Sequence, residues 1–233
     1  MNNPILPDAR LSLAAELVRP GARFADIGTD HATLPLALLS GGRISYAVAA
    51  DVAEGPLNRA RENVRGTGYE SRITLMLANG LSGMEDLGLT DIAICGMGGE
   101  LIATILREAP FVKTPSVQLV LQPMTRADVL RRYLAAAGFA VLAERYAVSA
   151  GRAYLCLLVS FDGRVREVDE ITAVLGTRAL RDARDREAFL QYLKTRKHEV
   201  EARLRGKREG GVDTCGDETL LEAILAEMEN YDA

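Results

Sequence analysis

The chain has 233 residues, 48% of them hydrophobic, and a formal net charge of −4. This length provides for one full α/β domain and a smaller second unit, and the three scattered cysteines and two histidines disfavour a disulfide framework or a zinc site. The sequence shows neither a signal-type leader nor an apolar run long enough to cross a bilayer, so we expect a cytoplasmic protein.

The first helix and strand lead into a glycine turn. Residues 8–18 place apolar side chains at helical spacing, with Asp8 as a candidate N-cap, and residues 24–27 form a short apolar run typical of a buried strand. Gly28 follows this strand at once, and a helix is predicted from Ala32 onward. A strand, a glycine turn and a helix are the first half of a nucleotide-binding βαβ unit.

The turn departs from the three-glycine fingerprint of dinucleotide-binding proteins. Only Gly28 is present, and the carboxylates of Asp26 and Asp30 would repel a phosphate. These charges favour a cationic nucleoside ligand without phosphates, such as S-adenosylmethionine (SAM); an NAD-type cofactor and a ligand-free structural turn are the alternatives. Asp30 and His31 are predicted to stand at the reaction centre, the alternative being that the Asp30 carboxylate caps the next helix.

Acidic and amide residues end the next strands. Residues 45–50 predict the second strand, and Asp51 at its end is placed to bind ribose hydroxyls, to cap the following helix, or to do both. After the third strand, Asn79-Gly80 forms either a plain turn or a contact to adenine. The residues predicted to bind the cofactor are Asp26, Gly28, Asp51, Asn79, Gly80, Cys95 and Gly96.

The rest of the main domain alternates strands and helices. The fourth strand, residues 91–95, is followed by Gly96-Met97-Gly98-Gly99, a predicted loop that admits a flat base, exposes amides to an anion, or only forms a strained turn. Gln122-Pro123 is predicted to stop the fifth strand, and residues 139–148 and 153–161 predict an antiparallel pair. The pattern predicts a doubly wound α/β sheet of about seven strands with a reversed last strand.

A change of pattern at Phe161-Asp162-Gly163 divides the chain into a main domain, residues 1–162, and a helical unit, residues 163–233. In the helical unit, residues 182–204 and 219–228 carry narrow apolar stripes. Two such helices predict an antiparallel hairpin of coiled-coil type.

Charge is unevenly distributed within the helical unit. Residues 178–208 hold 11 Lys or Arg and 5 Asp or Glu, whereas residues 209–233 hold 8 acidic residues and no basic one. The basic segment either binds a polyanion such as RNA or pairs with the acidic tail. Residues 206–216 are predicted to be a polar loop between the two helices.

Five stretches, taken together and in order, resemble one family of enzymes. They are ADIGTDHATLP, DVAEGPL, GMGG, LQP and GRAYL. As a set they resemble the TrmK family, bacterial tRNA (adenine-N1)-methyltransferases that modify position 22. The resemblance covers residues 8–161 and implies a Rossmann-like class I SAM-dependent methyltransferase with tRNA as its partner. Members usually carry an aromatic residue where this chain has Thr33 and an aspartate where it has Asn79.

The resemblance and the predicted strand ends together suggest which residues meet the substrate. Substrate contacts are predicted at Met97, Gly98, Gly99, Gln122, Pro123, Arg126, Arg152 and Tyr154. We expect a monomer that needs no metal and no membrane. The alternatives are a SAM-dependent enzyme that methylates another RNA or a small molecule, and an RNA-binding module that has lost catalysis.

Overall fold

The computed structural model describes residue 6 and residues 8–232, and its centre is one mixed β-sheet. The strands of this described part are β1 Arg23–Ile27, β2 Tyr46–Asp51, β3 Ile73–Leu77, β4 Asp91–Gly98, β5 Gln118–Thr125, β6 Phe139–Ser149 and β7 Arg152–Phe161. They hydrogen bond in the order β3-β2-β1-β4-β5-β7-β6, with β7 antiparallel to both of its neighbours. This order confirms the predicted doubly wound sheet and its reversed last strand.

Helices cover both faces of the sheet. Within the described residues they are α1 Ala9–Leu17, α2 Thr33–Ser40, α3 Glu54–Val64, α4 Gly99–Glu108, α5 Ala127–Ala136, α6 Glu170–Leu175, α7 Arg186–Glu209 and α8 Cys215–Asp232. Neighbouring strand residues enter different apolar clusters: Phe24 packs in the cluster of α1 and α2, and Ala25 in that of α4 and α5. A strand buried on both faces is a continuous apolar run, which is why the sequence reveals β1.

β4 and β5 extend further than the sequence predicts. β4 continues through Gly96 to Gly98, where a loop was predicted, and β5 continues through Pro123 to Thr125, where a stop was predicted. The pairing between them shifts register on both sides of Met97, which lies opposite Pro123. A proline has no N–H to donate and is tolerated at such an irregularity, so the two strands stay paired beyond it.

α7 and α8 form the predicted antiparallel hairpin. Near the end of α7, Arg203 Nε donates to the Asp217 carboxylate at the start of α8, 2.7 Å away. α7 also runs through Gly206 to Glu209, where the polar loop was expected to have begun. A glycine in a helix interior costs about 1 kcal/mol. Arg203 and Lys207 lie on either side of Gly206, and both form ion pairs with Asp217 that offset this cost.

A buried ion pair fastens the segment after β7 to the sheet. Arg131 of α5 donates to Glu144 of β6 from Nε at 3.1 Å and from Nη2 at 3.0 Å, and Tyr146 donates its hydroxyl to the same carboxylate at 2.8 Å. Gly176, just after α6, has a φ of 75°, and a Cβ there would lie 1.9 Å from a Glu144 oxygen. Only glycine fits at this position.

The apolar core continues from the sheet into the helical unit. Phe189 and Leu193 of α7 and Ile224 of α8 belong to the same buried cluster as Leu157 of β7. The division at residue 162 therefore marks a change in sequence pattern and not a gap in packing. Whether residues 1–162 and 163–233 behave as separate domains stays a prediction.

Candidate active site

A cleft of about 430 Å³ lies at the carboxyl ends of β1 and β4, under the first turn of α1. In open α/β sheets, ligands bind at this edge. The predicted residue Asp30 and four of the predicted cofactor residues are among those that line it. The lining residues are Asp8, Arg10, Leu11, Asp26, Gly28, Asp30, Thr33, Leu34, Cys95 and Gly96.

Asp26 places a buried carboxyl group at the floor of the cleft. The pKa of Asp26 is raised from 3.8 to about 6, chiefly by burial and also by the nearby carboxylates of Asp30 and Asp51, while a hydrogen bond acts to lower it. A carboxylate held in this way is costly without a cation beside it. The floor of the cleft is therefore suited to a positively charged group.

The first two amides of the glycine turn after β1 are not available to a ligand. The backbone N–H groups of Gly28 and Thr29 both donate to the carbonyl of Ala50, at 2.9 Å each. Gly28 has a φ of 73°, and the methyl group of Met97 lies where its Cβ would be. Phosphate-binding turns need free amides, so this turn does not suit a pyrophosphate.

Asp30 is the most exposed carboxylate of the cleft, with 77% of its side chain accessible. Its oxygen lies 3.2 Å from Nε2 of His31 and 3.9 Å from Nη2 of Arg59. α2 begins at Thr33, and its N-cap, Ala32, makes no side-chain capping bond. The Asp30 backbone carbonyl, and not its carboxylate, accepts from the amide of Thr33. The capping alternative for Asp30 is therefore wrong, and its carboxylate faces the open side of the cleft.

Asp51 lies at the end of β2 with one carboxylate oxygen engaged. Oδ1 accepts from the amide of Ala53 at 2.8 Å, which steadies the turn before α3. Oδ2 accepts no hydrogen bond from any residue that the structure describes. Val52 beside it is 69% exposed. Asp51 can thus stabilise the turn and still receive a hydroxyl donor.

Asn79 and Gly80 form a turn after β3. The Asn79 carbonyl accepts from the amide of Ser82 at 3.2 Å, so the turn alternative is correct as far as the backbone is concerned. Gly80 has a φ of 58°, and its absent side chain lets Ile105 approach closely. The side-chain amide of Asn79 is exposed and makes no hydrogen bond to any described residue. That amide remains open to a ligand.

Gln122 and Gly99 support the site from inside the protein. Gln122 is fully buried, and its Oε1 accepts from the amide of Gly96 at 3.0 Å. Gly99 is buried at the start of α4, where a Cβ would lie 2.2 Å from the Arg126 carbonyl oxygen. Burial leaves neither residue a surface for a substrate to touch, which corrects the predicted contacts at these two positions.

Cys95 contributes a neutral thiol to the wall of the cleft. Burial raises the pKa of Cys95 well above its ordinary value, and nearby Cys156 and Asp26 add to the effect. Across the described residues, no cluster of three or more His, Cys, Asp or Glu side chains is arranged to hold a metal ion.

Arg10 is a cleft residue that the sequence did not single out. Its guanidinium donates to the Asp8 carboxylate from Nη2 at 2.9 Å and to Gln122 Oε1 from Nη1 at 3.2 Å. It also lies 5.6 Å from the centre of the Tyr154 ring. Burial acts to raise the pKa of Asp8, but hydrogen bonds from Arg10 outweigh this and hold it below its usual value. The one sequence signal was the short Asp8 to Arg10 spacing at a helix start.

A second depression, which we call the arginine groove, runs between the ends of β5 and β7 and helix α7. It consists of two adjoining hollows of about 270 and 400 Å³. Four predicted substrate residues line it, namely Pro123, Arg126, Arg152 and Tyr154. The side chains that α7 adds to its wall are Tyr192, Thr195, Arg196, Glu199, Val200 and Arg203.

Two other predicted contacts, Met97 and Gly98, lie on β4 between the cleft and the arginine groove. Gly98 pairs with Thr125 of β5, whose hydroxyl would lie 3.3 Å from a Cβ at this glycine. Arg126 has a φ of 53° and pairs with Glu100 at 2.8 Å. Neither Met97 nor Gly98 is among the residues that line the cleft or the arginine groove, whereas Arg126 lines the groove.

The basic charges of α7 divide into two groups. Several pair with acidic side chains of α8, as the pairing alternative predicted: Arg203 and Lys207 with Asp217, and Arg208 with Glu218. Arg196 instead pairs with Glu199 on its own helix at 2.9 Å and lies 5.1 Å from the Tyr192 ring centre. Its charge therefore stays at the wall of the arginine groove.

Comparison with known proteins assigns the chain to a family. A model of the methyltransferase domain matches residues 7–157. The solved structure of the Bacillus subtilis m1A22 tRNA methyltransferase TrmK superposes with a TM-score of 0.76 at 26% identity, covering 98% of each chain. The tRNA (adenine(22)-N(1))-methyltransferase of B. subtilis strain 168 is 32% identical over 174 residues, which are 75% of this chain and 73% of that protein. The chain belongs to the TrmK family.

Membership in the TrmK family confirms the resemblance and the Rossmann-like methyltransferase fold with C-terminal helices that the sequence predicted. Another similar structure, Streptococcus pneumoniae Sp1610 in complex with S-adenosyl-L-methionine, is 32% identical with a TM-score of 0.79, covering 94% of this chain and 98% of that one. The residues of this chain suit such a group, because Asp26 offers a buried carboxylate and the amides of Gly28 and Thr29 are already bonded to Ala50. Among helices of the described part, none is both long and apolar enough to cross a membrane.

Proposed function

We propose that this protein transfers a methyl group from SAM to N1 of adenine 22 in tRNA. The observation that carries the proposal is the contact between two unlike sites. Arg10 lines the acidic cleft, and its guanidinium lies 5.6 Å from the ring of Tyr154, which lines the arginine groove. A cofactor in the first and an RNA in the second would meet at this point. The B. subtilis relative of the same family carries this activity in its name.

SAM binds along the carboxyl edge of the parallel strands. Asp51 accepts from the ribose hydroxyls with Oδ2, the oxygen left open by its bond to Ala53. The side-chain amide of Asn79 meets the adenine, and the buried Asp26 faces the cationic methionyl end. The other proposed cofactor contacts are Gly28, Cys95 and Gly96, which line the cleft, and Gly80 in the turn after β3.

Methyl transfer requires the protein to align adenine N1 with the methyl group and to stabilise the positive charge that develops on the adenine ring. When bound, SAM supplies an electrophilic methyl group: a bond forms from adenine N1 to the methyl carbon, the carbon–sulfur bond breaks, and the positive charge passes to the adenine ring. N1 already has a lone pair, so no residue needs to act as a base. N1 also lies on the pairing edge, so the base must leave its stack to reach the cleft.

We assign to Asp30 the stabilisation of the positive charge on the methylated adenine ring. Its carboxylate faces the open side of the cleft, with His31 at 3.2 Å and Arg59 at 3.9 Å beside it. A carboxylate placed where positive charge develops lowers the barrier to transfer. The proposed role of His31 is exerted through its contact with the Asp30 carboxylate.

The arginine groove binds the RNA backbone. It brings arginines of the main domain, Arg126 and Arg152, together with Arg196 of α7, and Tyr154 lies between them and the cleft. Arginine side chains neutralise phosphates, and aromatic rings stack on exposed bases. We place the reaction in the cytoplasm. We also propose that the protein acts as a monomer, and size-exclusion chromatography of the protein with and without tRNA tests this oligomeric state.

Methylation of tRNA transcripts tests the function. Purified protein with labelled SAM should methylate a tRNA with adenine at position 22, and should leave a matched transcript with guanine at 22 unlabelled. Digestion and mass spectrometry should locate 1-methyladenosine at that nucleotide. Equal labelling of both transcripts would place the methyl group elsewhere, and SAM binding without any labelled tRNA would favour another RNA or a small molecule as acceptor.

A pair of substitutions on one helix tests the arginine groove. Arg196→Gln removes a positive charge from the groove wall, whereas Arg205→Gln removes one from an exposed position of the same helix outside the groove. We expect Arg196→Gln to weaken tRNA binding and to lower the slope of log affinity against log salt by about 1. An equal effect of the two substitutions would mean that α7 acts only through its general charge.

A further inference from the structure

A gap opens in the sheet between the ends of β5 and β7. In the described part of the chain, these two strands pair only as far as Leu121 opposite Leu157, although β5 continues to Thr125 and β7 begins at Arg152. Pro123 lies just past the last pair, and its missing N–H favours an end to the ladder. The smaller hollow of the arginine groove, about 270 Å³ in volume, is lined by residues of both strand ends and occupies this gap.

Met124 is an apolar residue of β5 that faces the gap, and the sequence did not single it out. It is 40% exposed and lines both hollows of the arginine groove. Its sulfur accepts weak hydrogen bonds from Arg10 Nη1 at 3.4 Å and from Gln122 Nε2 at 3.7 Å, which orient an otherwise flexible side chain. Because Arg10 lines the cofactor cleft, Met124 lies where the cleft and the groove meet.

Tyr154 of β7 lies across the gap from Met124. Three residues along each strand from the pair of Leu121 and Leu157 lead to Met124 on β5 and to Tyr154 on β7. Both side chains contact Arg10, since the Tyr154 ring centre lies 5.6 Å from its guanidinium. None of the described residues that line the cleft itself is aromatic. A base that enters the cleft from the groove therefore passes between Met124 and Tyr154, and meets an aromatic ring there.

We propose that Met124 packs on one face of the extruded adenine while Tyr154 packs on the other, so that the two side chains position N1 for methyl transfer. The inference rests on the proposed methylation of tRNA, and it gives the target base a binding place between β5 and β7. A thioether is polarizable and packs well on aromatic rings, and a tyrosine ring stacks on a base of any kind.

Contacts to the faces of the base suit this reaction because they leave its edge free. Adenine N1 attacks with its lone pair, and a donor hydrogen-bonded to N1 would occupy that pair. Met124 has no N–H or O–H group in its side chain to donate. It can therefore hold the adenine without competing for the atom that reacts.

Substitutions of Met124 test the contact in single-turnover methylation at saturating SAM and tRNA. We expect Met124→Ala to slow the transfer by about 3- to 20-fold, the range for loss of one packed face of a base. Met124→Leu keeps an apolar side chain of similar volume and should retain most of the rate, whereas Met124→Gln has a polar end and should slow it. Leu142→Ala, at a 48% exposed position of β6 outside both depressions, is the control and should react at the wild-type rate.

Fluorescence shows whether the lost rate comes from holding the base. A tRNA with 2-aminopurine at the nucleotide after the target should brighten when the target base leaves the stack beside it. With S-adenosylhomocysteine bound, Met124→Ala should brighten this tRNA much less than the wild-type protein does. SAM affinity by calorimetry should stay unchanged.

Each contrary outcome overturns the contact. A wild-type rate for Met124→Ala would mean that no base packs on this side chain; if that variant does not fold, equal rates for Met124→Leu and Met124→Gln would mean the same. A slower rate with unchanged brightening, or with weaker SAM binding, would mean that Met124 only supports Arg10 and the cleft. In these cases the wild-type protein still methylates the tRNA, whereas a wild-type protein that leaves it unlabelled would overturn the proposed function and this inference with it.

Discussion

Asp26 links the stability of the ligand-free protein to pH. Its pKa of about 6 lies above the ordinary value of 3.8, so the stability that protonated Asp26 contributes is full below pH 3.8 and is lost as the pH rises through about 6. The buried carboxylate then costs about 3 kcal/mol at pH 8. We expect Asp26→Asn to raise the Tm of the ligand-free protein at pH 8, to change it little at pH 4, and to weaken SAM binding. Thermal denaturation at the two pH values checks this, and an equal shift at both would contradict the assignment.

Asp30 should affect the rate of transfer and not the binding of the cofactor. Asp30→Asn keeps the shape and removes the charge, and we expect single-turnover methylation at saturating SAM and tRNA to slow by about tenfold to a hundredfold, since solvent weakens an exposed charge. SAM affinity by calorimetry should change much less. Asp86→Asn, an exposed carboxylate outside the cleft lining, is the matched control and should react at the wild-type rate. A normal rate for Asp30→Asn would remove Asp30 from the reaction centre.

At the level of elements, sequence patterns predicted what is periodic and missed what depends on contacts between distant segments. β1 and the hairpin of α7 and α8 were readable because burial on both faces, or along one stripe, repeats in the sequence. α6 has only 6 residues, too few for a period, and forms because Asp169 caps it by accepting from the Thr172 amide at 2.8 Å. Arg10 was missed because its partner Gln122 lies 112 residues away. The strand ends predicted the position of the cleft, but not which residues are buried behind it.

Two glycines of the helical unit should respond oppositely to the same change. Gly206 lies within α7 with no atom near its Cβ position, so Gly206→Ala should stabilise the protein by about 0.5 to 1 kcal/mol. Gly176→Ala would force a methyl group into the Glu144 carboxylate at a φ of 75°, and should destabilise by more than about 3 kcal/mol. Urea denaturation of both variants measures the difference. A harmless Gly176→Ala would show that Glu144 can move away from the segment after α6.

At the scale of the whole molecule, the helical unit and the sheet should open together. Phe189 and Ile224 share their cluster with Leu157, and Arg131 bonds both to Glu144 and to the carbonyl of Ala173 in α6. We therefore expect amide hydrogen exchange in the full chain to give α7 and β7 the same free energy of opening. Exchange of α7 at a distinctly lower free energy would instead support two independent domains divided at residue 162.

The continuity of the core also determines when the protein can finish folding during its synthesis. The apolar face of β7 is complete only when Phe189 of α7 and Ile224 of α8 have been made. At the usual pace of translation, the residues after Phe161 take roughly 4 to 14 s to add. During that interval we expect the nascent sheet to expose apolar surface of the kind that chaperones bind. A ribosome that stops early therefore releases a chain without a closed core, which quality-control proteases can distinguish from the finished enzyme.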